Sequence, residues 1–129
     1  MMSEQSKILI VDDSQELTDV IHEYMEIYGF IVDTTTESTD ALRLIGANGY
    51  DVIVSDIHMP GMDGLELMGR IKNKYPDLPV VLITGYSISE ARKIAMEKGA
   101  DAFVAKPFHM KEILDVVTNI LNNKKFITA

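Results

Sequence analysis

Five short apolar runs rich in β-branched residues recur along the chain: KILIV (7–11), FIV (30–32), VIVS (52–55), VVLIT (80–84) and AFVA (102–105). Each is too short for a helix, is bounded by turn-forming residues, and lacks the polar alternation of a strand with one wet face. They read as strands buried on both sides. Between them the apolar residues change to helical spacing. Leu17, Val20, Ile21, Tyr24, Met25 and Tyr28 form the first stripe and Gly29 stops it; Ala41, Leu42 and Ile45 form the second, capped by Ser38 or Thr39 and ended around GANG. Leu65, Met68 and Ile71 mark a third helix that must end before Pro76. A fourth carries Ile88, Ala91, Ile94 and Ala95 behind the capping-box pair Ser87 and Glu90, with Gly99 closing it. Met110, Ile113, Leu114, Val117, Ile120 and Leu121 stripe the fifth. Strict alternation of strand and helix with short loops calls for a parallel five-stranded α/β sheet, helices on both faces, and right-handed crossovers. The second strand and helix are the weakest pair and belong at an edge.

The strand endings carry the chemistry. The first run leads into Asp12 and Asp13, the third into Asp56, the fourth ends in Thr84 and the fifth leads into Lys106. An ionised carboxylate behind a buried strand is costly unless compensated. In an open α/β sheet, ligands bind beyond the carboxyl ends of the strands, beside the point where the strand order reverses. A strand order 2-1-3-4-5 makes the first, third, fourth and fifth strands consecutive neighbours, and Asp12, Asp13, Asp56, Thr84 and Lys106 then converge. Three carboxylates so close repel by roughly 4 kcal/mol per pair at 4 Å and an effective dielectric near 20, more than one lysine neutralises. A divalent cation is implied. The chain has no cysteine, which removes thiolate ligands, thiolate catalysis and disulfides together. Carboxylate donors then favour Mg²⁺, or Mn²⁺, over Zn²⁺, and Mg²⁺ commonly completes its shell with phosphoryl oxygen and water. An aspartate is a competent nucleophile toward phosphorus, so Asp56, on the central strand, is the candidate acceptor. Asp12 and Asp13 would hold the metal, Lys106 would pair with a phosphoryl oxygen, and the Thr84 hydroxyl would donate to another.

At this point four linked stretches, VDDS, SDIHMPGMDG, ITGYS and AKPF, resemble the receiver domain of two-component response regulators in order and spacing, over residues 6 to 122. The resemblance implies the (βα)5, flavodoxin-like arrangement with strand order 2-1-3-4-5. It implies that Asp56 accepts a phosphoryl group from a phosphohistidine of a sensor histidine kinase or histidine phosphotransfer protein, with Mg²⁺ required. It also assigns the backbone carbonyl of His58 as a further metal ligand beside Asp12, Asp13 and Asp56, Thr84 as the switch hydroxyl, Lys106 as the phosphate-pairing lysine and Phe103 as the switch aromatic. Phe103 stands where many relatives have tyrosine. Pro107 matches the family proline that often follows a cis bond. His58 and Tyr86 occupy positions that tune loss of the phosphoryl group, and their bulk leads us to expect a longer-lived phosphorylated state than in fast chemotaxis-type members. Phosphorylation is expected to pull Thr84 inward, let Phe103 fill the vacated space, and reshape the face made by the fourth helix, fifth strand and fifth helix. That face would act on an unidentified downstream protein, on a second copy of the chain, or as a relay stage. Such a module catalyses only its own modification and is not otherwise an enzyme.

With 129 residues the chain leaves little room beyond one domain, so residues 1–5 and 123–129 read as short tails and no output domain is expected. A formal net charge of -8 argues against direct nucleic-acid contact. No apolar run is long enough to span a membrane, and MMSEQSK lacks the pattern of a secretory signal, so the expected compartment is the cytoplasm.

Each residue taken alone has a plainer reading: a strand-end Asp is usually a cap, a lone Lys is usually solvated, and only their joint placement points to a site. His22 and His109 share no metal-ligand spacing. Met25, Met68 and Met110 fall on helical stripes and read as core filling. Phe108, Ile88 and Arg92 divide evenly between core rim and partner surface. A flavin- or nucleotide-binding module would want a Gly- or Ser/Thr-rich phosphate loop where VDDSQE places two carboxylates. A phosphohydrolase would want an aspartate where His58 stands. A degenerate receiver would lack one of the five rim residues, and all are present.

Overall fold

The computed structural model describes residues 5–85, 93, 94 and 96–128, with the backbone alone from 124 onward. Strands β1 (Lys7–Val11), β2 (Ile31–Thr35), β3 (Val52–Asp56), β4 (Val80–Thr84) and β5 (Ala102–Ala105) form one sheet in the order β2-β1-β3-β4-β5. Every neighbouring pair is parallel. The described helices are α1 (Gln15–Ile27), α2 (Ser38–Ala47), α3 (Gly64–Lys74) and α4 (Met110–Thr128).

Successive side chains of a strand leave on opposite faces, and here both faces are covered. Leu9, Val11, Ile53 and Leu82 pack with Ala41 and Ile45 of α2 and Leu67, Met68 and Ile71 of α3. Ile8, Ile10, Val52, Val54, Val81 and Ile83 pack on the other side with Ile21 and Met25 of α1 and Ile113 and Val117 of α4. This double burial is why the strands read as unbroken apolar runs. The order reverses beside β1, which lies between β2 and β3. The crevice at the carboxyl ends of β1 and β3 is therefore where such a fold binds ligands.

Several elements differ from the sequence reading. The α1 stripe is narrower: Thr18, Ile21 and Met25 are buried, whereas Val20 and Tyr28 are exposed. Spacing of i, i+3 and i+7 puts Thr18, Ile21 and Met25 on the sheet, while Val20 falls well round the helix. Gly29 does stop the chain there, at φ 93°, a conformation that suits glycine after a helix end. β2 continues beyond FIV to Thr35, since polar side chains are tolerated on an edge strand. The N-cap of α2 is Glu37, with no side-chain cap bond, in place of Ser38 or Thr39. Ser38 is instead buried, and its hydroxyl donates to the Met62 carbonyl at 2.7 Å. β3 includes Asp56 itself. Residues 123–128, read as tail, continue α4, a stretch with neither glycine nor proline to end it. Tyr86, Ser87, Ile88, Glu90, Ala91, Arg92 and Ala95 lie outside the described residues; 93, 94, 96 and 97 are helical. Met25 and Met68 are fully buried, as core filling requires, and Met110 and Phe108 pack half-buried on the core rim.

Candidate functional site

Four strand tips build the site. At the end of β1, Asp12 is 1% exposed and its Oδ1 accepts the Ser14 N–H at 2.9 Å, which sets the carboxylate plane. Ser14 in turn caps α1, its Oγ accepting from Leu17 N at 3.2 Å. Asp13 is exposed at the rim. Asp56, the last residue of β3, is 3% exposed. It is held by the register Asp56↔Ile83 and by the next amide, Ile57 N–H, donating to the Ile83 carbonyl at 2.8 Å.

The far side of Asp56 is closed by α3. Its N-cap Asp63 accepts from Glu66 N at 2.9 Å, and Gly64 N–H donates to the Ile57 carbonyl at 2.7 Å. A Cβ on Gly64 would collide with the Asp56 carbonyl oxygen and come within 2.7 Å of Ile57 Cα. Only glycine lets the helix start this close to the end of β3.

On the other flank, Lys106 N–H donates to the Thr84 carbonyl at 2.7 Å, and the Lys106-Pro107 bond is cis. The lysine stem lies 3.8 Å from where a Gly85 side chain would begin. Its ammonium stands 3.5 Å from Asp56 Oδ1 and 3.6 Å from Asp12 Oδ2, ion-pair reach but too long for good hydrogen bonds. Thr84 is fully buried, and its Oγ1 lies 3.2 Å from Nε2 of the exposed His58 ring. Phe103 stands apart from this cluster, opposite Leu82 in the sheet register and half-buried against the α2 and α3 side of the core.

The electrostatics are unbalanced. One oxygen from each of Asp12, Asp13 and Asp56 lies within 4.8 Å of the others. Asp12 Oδ2 and Asp56 Oδ1 are buried and accept no hydrogen bond among the described residues. Burial pushes both carboxyls above the ordinary carboxylate range. For Asp12, the Ser14 amide and Lys106 pull the other way; for Asp56, the Asp12 charge raises it further and Lys106 lowers it. Buried oxygens without a donor, three negative charges and one positive charge fit a hard divalent cation coordinated by oxygen. Asp12, Asp13 and Asp56 can hold one.

The sequence pattern of the family described as response regulator receiver domain matches residues 8–118. The chain belongs to that family. This receiver domain is 34% identical over 118 residues to the response regulator SaeR of Staphylococcus aureus, covering 92% of this chain and 51% of SaeR. It is 33% identical over 112 residues to the response regulator protein FleR of Pseudomonas aeruginosa, covering 87% of this chain and 24% of FleR. The chain therefore spans about half the length of SaeR and about a quarter of that of FleR. Among solved structures, a response regulator receiver domain protein from Clostridium thermocellum superposes with a TM-score of 0.88 at 31% identity, covering 95% of this chain and 98% of that one. NtrX from Brucella abortus superposes at 0.90 with 30% identity, covering 97% of this chain and 29% of NtrX.

The receiver domain thus brings Asp12, Asp13, Asp56 and Lys106 into one cluster, with Thr84 and His58 joined beside it. The contact of the His58 ring with Thr84 was not read from sequence, which singled out its carbonyl and its bulk. The available signal was that both residues lie at or just past the tips of adjacent strands. Gly64 was read only as a turn residue. Tyr86 lies outside the described residues. No helix among the described residues is long and apolar enough to cross a membrane.

Proposed function

We propose that Asp56 is the phosphoacceptor of this receiver domain, taking its phosphoryl group from a phosphohistidine of a sensor kinase or phosphotransfer protein. The observation that carries this reading is the pair of carboxylate oxygens, buried and without a hydrogen-bond donor among the described residues, facing one lysine. An Asp56 oxygen attacks phosphorus, the P–N bond to the donor imidazole breaks, and the imidazole leaves with its electron pair and takes up a proton. Mg²⁺, held by Asp12, Asp13, Asp56 and the His58 carbonyl, would supply charge neutralisation for the transferring group. Lys106 pairs with one phosphoryl oxygen and the Thr84 hydroxyl with another. Phe103 follows Thr84 and alters the face carrying β5 and α4, toward a downstream protein or a second copy of the chain. The domain modifies only itself and turns over no external metabolite, and a phosphohistidine donor together with the absence of cysteine fits the cytoplasm.

The test is intact mass after incubation with acetyl phosphate and Mg²⁺. The expected gain is one HPO₃ unit, absent without Mg²⁺ and absent in Asp56→Asn. A folded wild-type protein that gains no such mass defeats the proposal.

A further inference from the structure

Thr84 Oγ1 has a partner already in the structure: the His58 ring, with Nε2 at 3.2 Å. Thr84 is the last residue of β4, and His58 lies in the loop that follows β3. The loop carrying His58 is clamped at three points, by Ile57 N–H on the Ile83 carbonyl, Gly64 N–H on the Ile57 carbonyl, and the Ser38 hydroxyl on the Met62 carbonyl. The backbone from which the ring projects is therefore fixed, while the ring itself is exposed and the hydroxyl that it meets is wholly buried. The ring tautomer decides which of the two atoms donates, and in either case an oxygen held 3.2 Å from the ring must turn on it or leave it to serve a phosphoryl group on Asp56.

Resting on the acceptor reading above, we infer that His58 is a positioning residue for the switch: its side chain holds the Thr84 hydroxyl in the unphosphorylated domain, and phosphorylation must exchange this hydrogen bond for one to the phosphoryl oxygen. The identity of residue 58 then sets how strongly the unmodified domain resists switching, separately from any contact of its backbone carbonyl with a metal.

The probe is beryllofluoride, a tetrahedral stand-in for a carboxylate-bound phosphoryl group, titrated at saturating Mg²⁺ and one fixed pH and followed by the backbone amide resonances of Thr84 and Gly85. His58→Ala should bind it roughly fivefold more tightly than wild type, the equivalent of one ordinary hydrogen bond. His58→Gln, which keeps a hydrogen-bonding group, should stay close to wild type, and Mg²⁺ alone should bind all three equally, because the carbonyl remains. In a Thr84→Val background, His58→Ala should have no effect. Unchanged or weaker binding by His58→Ala, the same gain in the Thr84→Val background, or a Gln variant as tight as the Ala variant would overturn the role of His58 while leaving Asp56 as acceptor. Absence of any Mg²⁺-dependent beryllofluoride binding by the wild type would overturn both readings.

Discussion

Replacing Asp56 should make the metal-free domain more stable. Asp56 and Asp12 are both buried, and their carboxylates approach within 4.8 Å. At that distance and an effective dielectric of 20, Asp12 repels an ionised Asp56 by about 3.5 kcal/mol, and Asp13, being exposed, adds about half as much or less. Lys106, 3.5 Å from Asp56, returns about 4.7 kcal/mol before screening of its partly exposed ammonium. The pairwise energies nearly cancel, and the desolvation of the carboxylate is left over. Asp56→Asn keeps the shape and removes the charge, so it should stabilise the protein by about 1 to 3 kcal/mol, or roughly 4 to 12 °C in Tm at this size. The assay is thermal unfolding in EDTA. Because the Asp56 carboxyl is raised in the folded state, the fold holds this proton more tightly than the unfolded chain does. Wild-type stability should therefore fall as pH rises from the ordinary carboxylate range through the raised value, and the advantage of Asp56→Asn should shrink as pH is lowered. Saturating Mg²⁺ should narrow the gap from the other side, by about 2.7 kcal/mol at a hundred times its Kd. An Asp56→Asn protein with a native circular dichroism spectrum but an unchanged or lower Tm in EDTA would refute the account of strain at the rim.

Two further substitutions probe the scaffold. Gly64→Ala should cost about 1 to 3 kcal/mol in urea unfolding, since its Cβ meets backbone and no flexible side chain can give way, and it should weaken Mg²⁺ binding in an isothermal titration by displacing Asp56; a neutral effect on both would show that the contact relaxes freely. Tyr50→Phe removes the 2.7 Å hydrogen bond from the Tyr50 hydroxyl to Asp33 Oδ2, and with Asp33 partly exposed it should cost about 1 kcal/mol in the same unfolding assay while leaving acetyl phosphate labelling unchanged.

What could be read from sequence followed from where burial is symmetric. VIVS and VVLIT face helices on both sides, so they carry a nearly unbroken apolar signal, and the polar residue at or just past each strand's end marks the rim. That located Asp12, Asp56, Thr84 and Lys106. Where burial is one-sided or local the signal failed. Asp33, Thr34 and Thr35 extend β2 with polar residues that an edge strand tolerates, so its end was hidden. Val20 and Tyr28 are apolar yet exposed; Tyr28 even shares the i+3 and i+7 spacing of the buried Met25 and Ile21, so periodicity alone could not set it apart. The α2 cap was misplaced because Ser38 spends its hydroxyl on the Met62 carbonyl, a partner 24 residues away that no local pattern encodes. The requirement for glycine at position 64 likewise belongs to a contact between α3 and the backbone of β3, and the His58 ring reaches across to a neighbouring strand.

Because the three inner strands are committed to helices above and below, they leave no lateral side chain with which to meet another molecule, and their chemistry emerges only at the rim. Side chains free to meet another molecule lie elsewhere, in loops and on outer helix faces such as the one bearing Ile27, 78% exposed. The acidic cluster and the outward-facing surface are thus spelled by separate sets of residues. Swapping the outer faces can redirect such a domain to new company without disturbing a single atom of its charge trap.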